Sequence, residues 1–443
     1  MQPLQQRRTP RLPLPHRRLD QRQMKHLLNH FLAATLLTTA TTASAENWPQ
    51  WRGPFFNGST TETGLPTTTN HIAWVTPLPG YSGATPAIWG DNVFVSSPDD
   101  AKNLLLLCLD RRSGKIRWQK ILGNGDFAKG HNNATSPSPI TDGQRVWIMY
   151  ATGLLAALDL NGNVLWKRDL AADYGKFALM WIYGSSPLLY RNNLYVQVLQ
   201  RHPPTYKHAL DDKPTRDSYL LCLDPLTGKE RWRHIRHTDA ITESMEAYTT
   251  PIPHGDEIIL IGGDYITAHD AATGAERWRC GGLNPKHNGW WRVVPSPVIA
   301  DDTIIACGPK RSPVLGIRNG KPAWESTVAT PDCCTPLFYK GNLFVLDGDR
   351  QLMACVDPKT GAVRWQGKLD APGDVFRASP TGADDKVYCV SEKGTVFVLE
   401  AGDRFQILST FQIAEPPIRS SIAIAQGQLF LRTGKNLYCF GAQ

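Results

Sequence analysis

The sequence predicts an all-β protein, an eight-bladed β-propeller of four-stranded antiparallel blades, from its composition, a repeated strand pattern and the complementary ends of the repeat array. The 443 residues include 37 Gly, 33 Pro and 14 Trp, which is typical of many short strands joined by turns rather than of a helical bundle. A chain of this length can bury a large core. Four strands in each repeat of about 50 residues indicate a propeller.

The first 45 residues have the features of a leader and signal peptide. After Met24 an apolar stretch covers residues 27–37, and residues 43–45 (Ala-Ser-Ala) have the small-x-small form that signal peptidase requires. We expect Met24 to be the true start and cleavage to follow Ala45. A retained membrane anchor is the alternative, but the run is shorter than the roughly 20 residues that a span needs. The mature chain is therefore expected to be periplasmic or secreted.

The distribution of charge argues against a nucleic-acid partner. The chain has 48 Lys and Arg against 40 Asp and Glu, a net charge of +8. Residues 1–45 hold seven of the basic residues and a single acid, so six of the eight net charges leave with the leader. The remaining body has no electrostatic footprint for a polyanion. It also has no later apolar run long enough to span a membrane.

Each predicted blade opens with a Ser/Thr-Pro pair before a short apolar strand. The pairs are Thr85-Pro86, Ser138-Pro139, Ser186-Pro187, Thr250-Pro251, Ser296-Pro297, Thr335-Pro336 and Ser379-Pro380, with Ser421-Ile422 as a degenerate eighth copy. A polar turn and a second strand follow. A third strand then ends in Leu-x-Leu-Asp or a similar sequence, as at residues 107–110 and 221–224. These three strands form the inner part of each predicted blade.

A Gly and a Trp four residues apart mark the fourth, outer strand. The pairs are Gly114/Trp118, Gly162/Trp166, Gly228/Trp232, Gly274/Trp278, Gly320/Trp324 and Gly361/Trp365. Such a Gly supplies the positive φ of a turn. A Trp on the outer strand can pack on the neighbouring blade. With Trp74, seven of the 14 Trp residues occupy this position.

The two ends of the array complement each other. The last unit, residues 421–440, has three strands but lacks the fourth with its Trp. Residues 72–75 (Ile-Ala-Trp-Val) have the character of a fourth strand without the other three. We expect the ends to share one blade and close the ring, which removes an open sheet edge. Residues 46–443 are therefore expected to form a single eight-bladed propeller.

Residues 223–232, Leu-Asp-Pro-Leu-Thr-Gly-Lys-Glu-Arg-Trp, resemble the repeat of the pyrroloquinoline-quinone (PQQ)-like propeller family, and residues 268–278 and 356–365 echo them. The pattern in that family is Ala-x-Asp-x-x-Thr-Gly-Lys-x-x-Trp. The resemblance covers nearly all of residues 72–443. It implies the fold but leaves the function open, because the family includes both quinoprotein dehydrogenases and non-enzymatic outer-membrane assembly proteins.

The loops that lead into the innermost strands line the mouth of the central funnel in a propeller of this type. The positions three residues before each Pro position hold Gly83, Ser136, Gly184, Tyr248, Val294, Cys333, Arg377 and Arg419. Positions two residues further back lie on the same side of an extended chain. A repeat scaffold does not need different residue types at equivalent positions of its blades. Because these positions hold residues as different as Gly, Tyr, Cys and Arg, we predict a binding surface here. The candidate ligand-binding residues are Tyr81, Asn132, Trp181, Glu246, Tyr248, Trp291, Arg292, Cys333, Cys334, Arg377 and Arg419; no catalytic or metal-ligating residue is assigned.

Arg292, Arg377 and Arg419 around one funnel favour an anionic or carboxylate-bearing ligand, through charge-assisted bidentate hydrogen bonds. The alternative is that these residues only cross-link adjacent blades, with Glu246 pairing Arg292. A long insertion, residues 200–218, emerges on the same side of the propeller. It is either a lid, a partner-binding loop or a solvated loop.

The cysteines are expected to be packing thiols for the most part. Cys108, Cys222, Cys355 and Cys439 recur at one strand position, where other copies have Ala or Gly, so the position demands a small buried residue. No Cys or His spacing suggests zinc. The vicinal pair Cys333-Cys334 resembles the strained disulfide that lies against PQQ in quinoprotein alcohol dehydrogenases. The Asn-Arg-Gly segment that follows the pair in those enzymes is absent, and a local packing role is favoured.

These observations favour an exported, monomeric, non-catalytic propeller without a cofactor, which binds an envelope protein or a small anionic ligand at its funnel. The alternative is a PQQ- and calcium-dependent dehydrogenase of alcohols or sugars. The resemblance implies oxygen ligands from Glu and Asn, an Asp base and a stacking Trp for that chemistry. Candidates for these roles are Glu246, Asn132, Asn133, Asp332, Trp181 and Trp291. Their spacing does not reproduce the ligand set of the family, and a haem motif is absent.

Overall fold

A computed structural model describes residues 46–213, 215–309 and 311–441, and in these residues the chain forms eight four-stranded antiparallel sheets. From the innermost to the outermost strand, blade 1 is Ala87–Trp89, Asn92–Pro98, Asn103–Asp110 and Ile116–Asn124; blade 2 is Ile140–Thr141, Arg145–Met149, Leu154–Asp159 and Val164–Asp169; blade 3 is Leu188–Tyr190, Asn193–Val198, Tyr219–Leu223 and Glu230–Ile235; and blade 4 is Ile252–His254, Glu257–Gly262, Tyr265–Asp270 and Glu276–Cys280. Blade 5 is Val298–Ala300, Thr303–Cys307, Val314–Arg318 and Lys321–Ser326; blade 6 is Leu337–Tyr339, Asn342–Asp347, Leu352–Val356 and Val363–Lys368; blade 7 is Thr381–Ala383, Lys386–Val390, Thr395–Glu400 and Ile407–Gln412; and blade 8 is Ala423–Ala425, Gln428–Arg432, Asn436–Phe440 and Ile72–Pro77. The predicted eight-bladed propeller is confirmed.

Few other elements accompany the blades. They are a hairpin of Ala128–Lys129 and Asn132–Asn133, the α-helix Leu170–Tyr174, and 3-10 turns at Thr69–His71, Lys207–Ala209 and Thr242–Met245. Among the described residues, no helix has the length and apolar character needed to cross a membrane. The predicted leader and its cleavage site, residues 1–45, lie outside the described residues.

The ends of the described chain share blade 8, as the orphan strand predicts. Trp74 pairs with Cys439 and Val75 pairs with Tyr438 in an antiparallel register. The outer strand of this blade therefore comes from the amino-terminal side of the repeat array and its three inner strands come from the carboxy-terminal side. A sheet shared in this way closes the ring through backbone hydrogen bonds.

A second closure runs around the innermost strands. The backbone N–H of the Ser or Thr before each innermost strand donates to the side-chain hydroxyl of the equivalent residue in the next blade, at 2.8–3.1 Å. The bonds run from Thr85 to Ser138, Ser186, Thr250, Ser296, Thr335, Ser379 and Ser421, and from Ser421 back to Thr85. All eight hydroxyls are buried. The repeated Ser/Thr-Pro pair is therefore an inter-blade link as well as a strand start.

The repeated Gly and Trp form the outer contact between blades. Six of the seven Trp residues, from Trp74 over Gly114 to Trp324 over Gly361, lie over the Gly of the following blade. A Cβ atom at Gly114, where φ is +71°, would lie 2.6 Å from the indole ring. Trp74 also donates its Nε1–H to the carbonyl of Arg111 at 2.8 Å, and four later Trp residues make the equivalent bond. The Gly position thus needs both a positive φ and an absent side chain.

The recurring cysteines lie in the core, as predicted. Cys108, Cys222, Cys355 and Cys439 are fully buried. Burial raises the pKa of each of these thiols to about 12. Within the part of the chain that the structure describes, all nine cysteines are free. The four equivalent thiols are therefore neutral packing groups at pH 7.

Residues 46–67 form a segment that the repeat pattern did not predict, and we call it the N-terminal plug. Trp48 is fully buried and exchanges two backbone hydrogen bonds with Ile88 of blade 1, at 2.8 and 3.0 Å. The carbonyl of Pro49 accepts from the backbone N–H of Thr141 in blade 2 at 2.9 Å. The plug therefore begins against the innermost strands of blades 1 and 2.

The plug then crosses the axis of the ring. Arg52 is buried and donates to the carbonyls of Pro336 at 2.9 Å and Pro380 at 3.2 Å, where blades 6 and 7 begin. Phe56 packs edge-on against Tyr190 of blade 3, with ring centroids 6.3 Å apart. Blades 3 and 7 lie on opposite sides of an eight-membered ring. The plug consequently obstructs the axial channel.

Candidate ligand-binding funnel

A cavity of about 330 Å³ lies at the axis, where the loops lead into the innermost strands. All eight positions three residues before the Pro positions line it. Trp51 of the plug also lines it, at the inner end of the cavity. The pattern of the repeat therefore locates the cavity, whereas nothing in the repeat pointed to Trp51.

Seven of the eleven candidate residues reach the cavity wall. They are Asn132, Trp181, Tyr248, Arg292, Cys333, Arg377 and Arg419. Tyr81, Glu246, Trp291 and Cys334 lie outside the cavity wall. The side chains of His131 and Asp332 and five hydroxyls of the inter-blade ring complete the polar lining. Those hydroxyls were missed because the Ser/Thr-Pro pair was interpreted as a strand start alone.

Arg292 is neutralised by its neighbours. Its Nη1 and Nη2 atoms donate to the two carboxylate oxygens of Asp332 at 2.8 and 3.0 Å, and its Nε lies 3.6 Å from Glu243. Arg292 thus pairs with Asp332 and not with Glu246. A bidentate pair of this kind leaves the guanidinium little capacity for a ligand.

Glu246 is fully buried beside the funnel. Its carboxylate accepts hydrogen bonds from the hydroxyls of Tyr206 at 2.5 Å and Tyr248 at 2.8 Å, and from the backbone N–H of Met180 at 2.7 Å. Burial raises the pKa of Glu246, although all three donors oppose that rise. With its oxygens occupied, Glu246 holds the funnel wall together.

The insertion of residues 200–218 is attached to the funnel wall through this contact. Besides Tyr206, His208 places its Nε2 atom 3.0 Å from the carbonyl of Leu179. Arg216 is buried and donates to the carbonyls of Ala209 and Lys176, at 2.9 Å each. The insertion does emerge on the funnel side, as predicted. It is attached to the protein at Tyr206, His208 and Arg216, whereas residues such as Leu210 and Asp212 are exposed.

Arg419 is also paired. Its Nε donates to Glu392 at 2.6 Å and its Nη1 donates to the hydroxyl of Tyr81 at 2.9 Å. The guanidinium carbon lies 5.4 Å from the centre of the Tyr81 ring, so the two groups stack. Tyr81 thus braces Arg419.

Arg377 differs from the other two arginines. Its Nη1 contacts Asp349 at 2.9 Å and the Cys333 thiol at 3.7 Å. The side chain of Asp349 is 52% exposed, so solvent weakens this ion pair. The buried Nε of Arg377 has no hydrogen-bond partner among the described residues. Arg377 is therefore the arginine of the cavity wall with an unused donor.

The cavity wall that contains Arg377 also contains aromatic side chains. Trp181 is 37% exposed, and its Nε1 donates to Glu243 at 2.9 Å. Asn132 holds the Trp181 carbonyl through its Nδ2 atom at 2.9 Å. Trp51 adds a second indole at the inner end of the cavity. The cavity thus joins apolar surface to one partly free cation.

The vicinal cysteines lie on either side of the cavity wall. Cys333 faces the cavity, and burial raises its pKa to about 11. Cys334 is buried and directs its thiol to the carbonyl of Phe376 at 3.4 Å. A thiol with so high a pKa is a weak nucleophile at neutral pH. The packing role predicted for the pair agrees with these contacts.

Calcium held beside a quinone needs several free oxygen ligands. The carboxylate of Glu246 is occupied by three donors, and that of Asp332 is occupied by Arg292. The amide oxygen of Asn133 accepts from the backbone and hydroxyl of Thr135 at 3.2 and 3.0 Å. Glu246, Asp332 and Asn133 therefore already have their side-chain oxygens in contact with protein donors.

A second group of possible metal ligands lies between blades 3 and 4. The ligand atoms of His234, His269 and Glu276 all lie within 4.8 Å of one another. Both ring nitrogens of His269 already contact protein oxygens, at 2.9 and 3.2 Å. Both oxygens of Glu276 accept from Arg279, at 2.6 and 2.8 Å. The group is accounted for as a hydrogen-bonded contact between blades.

A family model described as outer membrane protein assembly factor BamB matches residues 56–198, 214–337 and 333–440. These segments cover most of the chain. The chain belongs to this family. The resemblance to PQQ-like repeat propellers that the sequence predicts is confirmed by this match.

Solved structures share the fold of the family at low sequence identity. BamB from Moraxella catarrhalis is 15% identical with a TM-score of 0.60, covering 83% of this chain and 99% of that one. A europium-containing methanol dehydrogenase is 12% identical with a TM-score of 0.69, covering 90% and 98%. A quinohemoprotein alcohol dehydrogenase from Comamonas testosteroni is 11% identical with a TM-score of 0.65, covering 89% and 80%. Identities this low show a common fold alone.

One curated relative shares part of the chain. It is the serine/threonine-protein kinase AfsK of Streptomyces griseus, 26% identical over 191 residues. The match covers 40% of this chain and 22% of the kinase. The chain thus spans about a fifth of the length of this relative.

Proposed function

We propose that the protein is an exported, non-catalytic member of the family that binds a small anionic ligand in its funnel. The observation that carries the proposal is Arg377, which lines the cavity and whose one carboxylate partner, Asp349, is half-exposed. The guanidinium has five N–H donors, and its contacts with Asp349 and Cys333 use Nη1 alone, so the Nη2 atom is left for a ligand oxygen. The cavity volume of about 330 Å³ is within the range of small-molecule sites, roughly 300–1,000 Å³.

The lining favours a carboxylate or phosphate carried on an apolar body. Such an anion can accept two parallel N–H groups from a guanidinium. The indoles of Trp51 and Trp181 supply apolar surface for the rest of the ligand. Because Arg292 and Arg419 are already paired, Arg377 is assigned the main role in holding the anion.

An envelope protein is the second proposed occupant. It would reach the same donor through an acidic side chain or a carboxy terminus at the tip of an inserted segment. The family description, which names outer membrane protein assembly, supports this occupant. We propose a periplasmic or secreted monomer without a cofactor or a nucleic-acid partner.

Calorimetry with benzoate, succinate and inorganic phosphate tests the proposal. Arg377→Gln is expected to weaken binding at least about tenfold, because one charged hydrogen-bond partner is worth about 1.5–3 kcal/mol. Arg364→Gln is the matched control, since Arg364 lies on the outer strand of blade 6, away from the funnel, and pairs with Asp357. Equal binding by both variants, or no binding of any anion by the wild type, would refute the small-anion proposal. Capture of an envelope protein that depends on Arg377 would then favour the second occupant.

The dehydrogenase alternative has its own test. The purified protein is mixed with PQQ and Ca²⁺, and dye reduction is followed with several alcohols and sugars. We expect no reduction, because the oxygen atoms of Glu246 and Asp332 are already occupied. Substrate-dependent reduction that needs both additions would replace the binding proposal.

A further inference from the structure

The first described residue, Glu46, lies in a pocket of hydrogen-bonding groups. Its backbone nitrogen donates to the Oε1 atom of Glu62. The same carboxylate accepts from the backbone N–H groups of Gln426 at 3.1 Å and Gly427 at 2.6 Å, in the turn between the two inner strands of blade 8. The side-chain carboxylate of Glu46 accepts from the hydroxyl of Thr60 and from a neighbouring backbone N–H. Glu62 thus joins both ends of the plug to blade 8.

The charge of Glu62 has no counterpart in this pocket. The residue is only 9% exposed, and no Lys, Arg or His among the described residues forms an ion pair with it. Neutral N–H groups alone can hold such a carboxylate, and a positive group at the same place would add a charge-assisted hydrogen bond. While residues 45 and 46 are joined by a peptide bond, the nitrogen of Glu46 contributes one neutral N–H.

Cleavage of that bond changes the nitrogen into an α-ammonium group. It would carry a positive charge below its ordinary pKa of about 7.7–8.0 and offer three donors at the same position. We propose that Glu62, with the backbone amides of Gln426 and Gly427, is a binding site for the α-ammonium group of a mature chain that begins at Glu46. The proposal rests on the predicted cleavage after Ala45.

This ion pair links processing to the funnel. It fastens residue 46 to residue 62, and between them lie Trp48, which pairs with blade 1, and Trp51, which lines the cavity. The precursor would therefore hold the plug less firmly than the mature protein. Removal of the leader would strengthen the attachment of the segment that carries Trp51.

The test compares a chain beginning at Glu46 with one that retains Ser44 and Ala45, each with Glu62 or with Glu62→Gln. Hydrogen exchange is measured at the backbone amides of Trp48 and Thr60, which donate to carbonyls of blades 1 and 7. The two-residue extension is expected to speed exchange of these amides about tenfold, a change that corresponds to about 1.4 kcal/mol. Amides of the central blade strands serve as the internal reference and should not change.

Glu62→Gln should reproduce the effect in the mature chain, and the extension should add nothing further in that background. Glu325→Gln, an exposed carboxylate on the outer strand of blade 5, is the matched control. Acetylation of the α-amino group replaces the mutation if Glu62→Gln does not fold. Equal exchange rates in the mature and extended chains would overturn the proposal. An extension that speeds exchange as much in the Glu62→Gln background as in the wild type would also overturn it. An exported protein whose mass shows a start other than Glu46 would also overturn it.

Discussion

Acid should weaken the contact between blades 3 and 4 through His269. The imidazole is fully buried, its Nδ1 lies 3.2 Å from the carbonyl of Gly274, and its Nε2 lies 2.9 Å from the hydroxyl of Thr267. Burial lowers its pKa from 6.5 to about 4, and the positive charge of Arg236 and the ring of His234 act in the same direction. The Gly274 carbonyl and Glu276 oppose the change but do not outweigh burial. His269 is therefore neutral in the folded protein at pH 7.

The magnitude follows from linkage. Because the folded pKa lies below the unfolded one, the unfolded chain binds a proton first as the pH falls. The stability contributed by neutral His269 is complete above about pH 6.5 and is lost progressively as the pH falls through about 4. At about 1.4 kcal/mol for each unit of pKa difference, the total loss is about 3 kcal/mol. Burial also lowers the pKa of His234, which adds to the slope in the same direction.

Chemical denaturation between pH 4 and 8 measures this effect. His269→Asn retains a donor near the Gly274 carbonyl but cannot be protonated, so its free energy of unfolding should fall less steeply with acid than that of the wild type. The exposed His71→Asn provides the control and should keep the wild-type slope. Identical pH dependence in the wild type and His269→Asn would refute the assignment of a buried neutral imidazole.

Two further predictions concern the contacts between blades. Thr335→Val removes one hydroxyl of the inner ring and leaves the buried N–H of Ser296 without its partner at 2.9 Å. The free energy of unfolding, measured by denaturation, should fall by about 1–3 kcal/mol. An unchanged value would show that the ring is dispensable. Gly274→Ala places a Cβ atom 2.5 Å from the Trp232 ring, whereas Gly255→Ala has a similar positive φ but meets open space. Gly274→Ala should therefore lower the melting temperature more than Gly255→Ala. Equal losses would mean that backbone strain alone explains why the repeat has Gly at this position.

The sequence predicted the ring and the position of the cavity because both depend on repeated local signals. Each Ser/Thr-Pro pair fixes where an innermost strand begins, so a constant offset from Pro identifies the residues that face the axis. The Gly and Trp register identifies the outer strand in the same way. The strand that contains Trp74 has no other strands of a blade next to it in the sequence, and this was enough to predict the shared blade 8.

The contacts of the candidate residues could not be predicted in this way. Whether Arg292 pairs with Asp332 or Glu246 depends on side-chain directions across neighbouring blades, which the spacing within one blade does not determine. Trp51 belongs to a segment outside the repeat, and its position depends on contacts with distant blades. An insertion such as residues 200–218 likewise has no repeated counterpart from which its packing could be inferred.

The circle of hydroxyl bonds has a mechanical consequence. Each innermost strand is a donor to one neighbour and an acceptor from the other, and all eight bonds point in the same rotational sense. The circle consequently has no first or last member from which unzipping could start. A force that pulls any one blade outward must therefore break two of these hydrogen bonds at once, whichever blade it acts on.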